Sequence, residues 1–145
     1  MHHKILFVDD RTKRIHWALE NYNAPVWDLT IATCVPETLR LLSSQEWIVV
    51  SLDHDLNGHD FEDPESTGCG MEVVRYLKKC GGWPKIIHHD VHHIPEAPDF
   101  WIHSKNIFAA HLMIVELQRM GLSAQWRPVR YEKENMTYDE RGNPK

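Results

Sequence analysis

A chain of 145 residues, 42% hydrophobic and 26% charged, has the size and make-up of one globular domain that can bury a core without disulfide or metal staples. Its formal net charge of -5 argues against broad, salt-driven binding to duplex nucleic acid, which needs a basic face to displace counterions, and no apolar run is long enough to span a bilayer. The opening Met1-His2-His3-Lys4 carries no signal-peptide or transit-peptide pattern, so the cytoplasm is the expected compartment.

Lys4 to Val8 reads as a first strand that runs into Asp9-Asp10-Arg11. Thr12 to Tyr22 follows with Ile15, Ala18, Leu19 and Tyr22 at the spacing of an amphipathic helix, closed by Asn23-Ala24-Pro25. Leu29 to Thr33 is a short strand, and Pro36 suits the first turn of a helix ending near Leu42. Trp47 to Leu52 is the third and expected central strand. It discharges into Asp53-His54-Asp55, from which His54 to Gly70 forms a long acidic loop of the kind usually reserved for function.

Met71 to Lys79 places Val73, Val74 and Leu77 on one helical face, stopped by Gly81-Gly82. Trp83 to Pro98 contains the cluster His88 to His93, expected to be an exposed or lid-like loop because no distant third ligand accompanies it. Phe100 to Ile102 is the fourth strand and leads into His103-Ser104-Lys105-Asn106. Asn106 is a suitable N-cap for a helix with Ile107, Ala110, Ile114 and Leu117 inward and Gly121 as its stop. Gln125 to Tyr131 fits a last strand, and from Glu132 onward a polar tail or surface hairpin is expected. Cys34, Cys69 and Cys80 lack the paired spacing of zinc or redox motifs and are read as reduced thiols. Trp47 and Trp101 are expected in the core.

Strands alternating with helices favour a parallel sheet with helices on both faces, and ligands in such folds bind where the strands' carboxyl ends face a switch in strand order. In the order 2-1-3-4-5 the first and third strands are neighbours, so Asp9, Asp10, Asp53 and Asp55 would converge. Carboxylates so close need a compensating cation or raised pKa values, which makes these four the expected ligands of Mg2+ or another divalent ion. The alternative is that one acid of each pair turns to solvent or caps the following helix. His54 and His103 would sit on adjacent strand ends and can split general-base and general-acid duty, with Asp53 as the third catalytic candidate. A structural histidine bound to carboxylates is the competing reading. Arg11, Ser104, Lys105 and Asn106 are the candidates for holding phosphate oxygens, aided by backbone N–H groups at a helix start. Arg11 and Arg14 have a second reading, in which they balance the acid pair.

Phe7-Val-Asp-Asp-Arg11, Ile48-Val-Val-Ser-Leu-Asp-His-Asp-Leu56, Thr67-Gly68 with Val73, and Ile102-His-Ser-Lys-Asn106 together resemble the cyclic-phosphate processing receiver-like domains over most of residues 4 to 120. The resemblance implies a single receiver-like, flavodoxin-like three-layer domain over residues 1–131, with a five-stranded parallel sheet and residues 132–145 as a tail. It places Asp10 and Asp53 where receivers hold magnesium and accept phosphate, and makes His54, Asp55, His103, Ser104 and Asn106 the added signature. It also implies a hydrolase opening a cyclic phosphate on a nucleotide or RNA end, in RNA repair or conflict settings. The chain departs from the pattern in its arginine, usually one residue after Arg11, and in a last strand whose Arg127-Pro128-Val129-Arg130 has no clear counterpart of the receiver lysine. Two other readings stand beside the enzyme: a non-enzymatic receiver-like module binding a nucleotide or protein partner, and a Toprim-like metal nuclease suggested by Asp53-x-Asp55.

Overall fold

The computed structural model describes residues 3–56, 58, 62–83 and 96–129. The elements are β1 (His3–Val8), α1 (Thr12–Asn21), β2 (Trp27–Ala32), α2 (Val35–Leu42), β3 (Val49–Leu52), α3 (Gly70–Lys79), β4 (Asp99–Ile102), α4 (Ile107–Arg119) and β5 (Ala124–Trp126). The five strands form one sheet, all neighbours parallel, in the order β2-β1-β3-β4-β5. The His88 to His93 cluster and the tail from residue 130 fall outside the described residues.

Two cores of unequal size hold the sheet. Leu6, Val8, Val50, Leu52, Phe100 and Ile102 point to one face and pack against α2, α3 and α4. Each such fully buried side chain contributes about 1.5–3 kcal/mol by leaving water. The other face carries the alternate strand residues. Phe7 joins Ala18 and Val129 there, with Trp17, Tyr22, Leu29 and Ile31 around them.

Five elements depart from the sequence expectation, β3 by starting at Val49 instead of Trp47. On α1 the buried residues are Arg14 and Ala18, whereas Leu19 is 53% exposed, so the helix is rotated to carry a guanidinium inward instead of a leucine. β2 starts two residues early because Trp27 is the register partner of His3. β5 stops at Trp126, opposite Ile102, where its only partner β4 also ends. On α4 the inward residues are Ala109, Ala110, Met113 and Leu117, with Ile107 and Ile114 only half-buried. Trp47 is core as expected, but Trp101 is half-buried on the α1 face, under the Arg127 guanidinium at 3.8 Å.

The register positions the chemistry. Val8 pairs with Leu52 and Leu52 with Ile102, so the next residues on three adjacent strands, Asp9, Asp53 and His103, leave the sheet side by side. Their backbones still extend the ladder: Asp53 N–H donates to Val8 O at 3.1 Å and His103 N–H to Leu52 O at 3.2 Å.

Candidate active site

The first group at the sheet's carboxyl edge is closed around Asp9. One carboxylate oxygen, Oδ1, accepts the Arg11 backbone N–H at 2.8 Å, and Oδ2 accepts from His103 Nε2 at 2.9 Å. A single Arg14 terminal nitrogen lies 3.3 Å from Asp9 Oδ2 and 3.1 Å from Asp53 Oδ2. With Nε2 donating to Asp9, the neutral His103 ring has Nδ1 free to accept, and the Ser51 hydroxyl donates to it at 2.8 Å. The ring also lies flat on Phe7, with 4.4 Å between centroids and 5° between planes. Burial pushes the His103 pKa below the ordinary imidazole value, against the opposing pull of Asp9.

The second group is built on Asp55. Its Oδ1 accepts from His54 Nδ1 at 2.8 Å, from the Glu62 N–H at 2.9 Å and from Asn106 Nδ2 at 3.2 Å. Glu62 answers by accepting the Leu56 N–H through Oε2 at 3.1 Å, which ties both ends of the segment together. His54 Nε2 is buried without a hydrogen-bond partner, and the ring interacts with the Cys69 sulfur at the start of α3. Burial alone favours the neutral ring, but the Asp55 hydrogen bond and the proximity of Asp55 and Cys69 outweigh it and push the His54 pKa up to about 9. In the same exchange the Cys69 thiol, which burial would raise, is lowered by His54.

The four acids therefore do not share one pocket. Asp9 and Asp53 meet, with ligand atoms of His103, inside 4.8 Å. Asp55 belongs to the His54 group, and Asp10 turns one oxygen to the Gly58 N–H at 2.6 Å. The reason is local: each acid found its own donors within a few residues of the strand exits, and like charges separate when they can. Among the phosphate candidates, Ser104 Oγ accepts the Asn106 N–H and Asn106 Oδ1 caps Ala109 N–H, so both are engaged inside the β4–α4 turn. Arg11 and Lys105 keep partly exposed positions. Asp9, Asp53, His54 and His103 are all 0% exposed, a depth that the sequence pattern did not convey.

Arg14 and Cys69 were the residues whose part sequence reasoning understated. For Arg14 the available signal was its spacing, three residues after Arg11 and four before Ala18, on the helix leaving the acid pair. For Cys69 there was none beyond its place just ahead of a helix. The expected divalent ion does not fit these residues as they are arranged, because the Arg14 nitrogen sits between the two carboxylates that would bind it. The groove between α3 and α4, lined by Met71, Val74 and Leu112 together with Glu65, Arg75, Lys78 and Glu116 and about 270 Å³ in volume, contains none of the motif residues.

A parallel 2-1-3-4-5 sheet with an aspartate pair after β1 and another aspartate after β3 defines a receiver-like domain. Solved structures agree on the fold. The chain is similar to a CheY-like response regulator receiver domain protein from Methanospirillum hungatei JF-1, with a TM-score of 0.57, 16% identity, and 93% of this chain and 90% of that one covered. A response regulator from Burkholderia pseudomallei, solved with a phosphorylated aspartic acid, a calcium ion and citrate, gives 0.53 and 14%, covering 92% and 64%. The receiver domain of a putative Luxo repressor from Vibrio parahaemolyticus gives 0.53 and 14%, covering 93% and 85%. No curated protein matches the sequence. Within the receiver class the chain belongs to the cyclic-phosphate processing receiver domain family, whose model matches residues 4–119.

Proposed function

We propose that the chain is a phosphoesterase that opens a cyclic phosphate, or a closely related phosphodiester, at the end of a nucleotide or an RNA. The observation that carries this reading is the contrast between two imidazoles at the exits of neighbouring strands, each backed by its own carboxylate. His54 on Asp55 is pushed up to about 9 and is cationic at neutral pH; His103 on Asp9 is pushed down and is neutral. Paired groups driven apart in this way suit an acid and a base working together. Water attacks phosphorus and gives its proton to the Ser51 hydroxyl, which passes its own to His103 Nδ1; the bond from phosphorus to one ribose oxygen breaks, and that oxygen takes its proton from His54. The product is a phosphomonoester beside a free hydroxyl. Arg11 and Lys105, the partly exposed cations at this edge, would hold the phosphate oxygens. No metal ion has a part in these steps.

A second reading is favoured by one observation, the burial of both rings and of Ser51. In it the domain binds a cyclic phosphate end without turnover, and the histidines hold the edge in shape.

Incubation with 2′,3′-cyclic nucleotides and cyclic-ended RNA separates the two. Turnover that survives chelation and falls at least a hundredfold in both His54→Gln and His103→Gln supports the enzyme. Saturable binding of the same ligands with no product formed establishes the binding module in its place.

A further inference from the structure

We infer that Arg14 takes the place of the divalent cation, so that this receiver-like centre is neutralised by a side chain of its own and does not bind magnesium-type ions. Asp9, Asp53 and His103 offer three atoms within 4.8 Å of one another, the only such group among the described residues. The Arg14 nitrogen is 3.3 Å from one carboxylate and 3.1 Å from the other, which places a permanent positive charge on the line an ion would occupy. Arg14 is 2% exposed, and both acids are fully buried, so the guanidinium has no solvent-facing alternative close by.

The imidazole points the same way. A ligating nitrogen must present a lone pair. His103 Nε2 instead donates its proton to Asp9 Oδ2, while Nδ1 is held by the Ser51 hydroxyl. Asp10, the further acid at this edge, gives an oxygen to the Gly58 N–H and stands outside the group. Two carboxylates with waters would serve magnesium, so what excludes the ion is the guanidinium already lying against both of them. A guanidinium needs only to bring its fixed charge close to both acids, and it does. The arrangement also accounts for the rotation of α1, which buries Arg14 and leaves Leu19 in water. A centre of this kind has a fixed charge that neither chelation nor ion supply can alter.

The test is manganese binding by the intact chain, read by electron paramagnetic resonance of the free ion and by melting temperature with and without the ion. The wild-type chain is expected to show no saturable site at millimolar manganese and no shift in melting. Arg14→Met keeps the apolar stem and removes the charge, so it should bind at least tenfold more tightly than wild type, and the added change Asp53→Asn should abolish that gain. Arg14→Lys, which keeps the charge, should stay ion-free. Saturable wild-type binding that is lost in Asp9→Asn or Asp53→Asn would overturn the inference, as would a folded Arg14→Met chain that ignores manganese. If Arg14→Met unfolds, recovery of the fold by manganese supports it and failure to recover counts against it.

Discussion

Gly70 has no room for a side chain. A methyl group there would lie 2.1 Å from the Asp53 carbonyl oxygen and 2.9 Å from His54 Cα, both backbone atoms that cannot swing aside. The absence of a Cβ lets the start of α3 sit directly on the strand exit, where the Gly70 N–H donates to His54 O at 2.8 Å. Gly70→Ala should therefore cost about 3 kcal/mol or more, the upper range for overpacking a close contact. Urea unfolding checks it, and an unchanged midpoint would show that α3 is not seated on His54. The sequence marked Gly70 only as the end of the acidic loop, since a close approach between segments 16 residues apart leaves no local signature. His54 and Asp55 were legible for the opposite reason: adjacent in sequence, they need no tertiary contact to meet.

At the scale of the helix, α1 and α4 test the packing. Leu19 sits on the stripe that periodicity assigned to the core but is half in water, so Leu19→Gln should change stability by less than about 0.5 kcal/mol. A loss of several times that size, seen in thermal or urea unfolding, would mean that α1 packs by Leu19 after all. In α4 the cap was readable and its second duty was not. Asn106 Oδ1 accepts the Ala109 N–H at 3.2 Å as the capping rule anticipates, while its Nδ2 donates to Asp55 Oδ1 and, at 3.3 Å, to Glu62 O. Asn106→Ala should lose the cap and the tie together, about 2–3 kcal/mol. Asn106→Ser should recover only the capping part, because its shorter side chain cannot span to Asp55. Equal stability of the two variants would deny the tie.

At the scale of the whole molecule the buried imidazoles shape the pH dependence. His103 holds its proton less tightly in the folded chain than at its ordinary value near 6.5, so the unfolded chain takes up a proton first as pH falls below that value. Stability contributed by the neutral ring is present above about pH 6.5 and is lost on acidification, with a slope of up to about 1.4 kcal/mol per pH unit. His54 works the other way: raised to about 9, it stabilises the fold below 6.5 and loses that contribution as pH climbs toward 9. Cys69, lowered in the folded chain, releases a proton over that alkaline range and offsets the loss. Urea unfolding from pH 5 to 9 should thus show an acid slope that flattens in His103→Gln, and little alkaline slope. An acid limb that is unchanged in His103→Gln would remove His103 from this account.

The sequence by itself determined the alternation of strands and helices, the five-stranded parallel order through its resemblance, and which residues stand at the strand exits, because hydrophobic period and chain adjacency are local properties. Only the tertiary structure decided how the acids divide, that the Arg14 guanidinium lies against both Asp9 and Asp53, and that both histidines lie beneath the surface. Those outcomes depend on which donors the folded chain delivers to each carboxylate across 94 residues in the case of Asp9 and His103, and burial sets their charge in a way no linear pattern records.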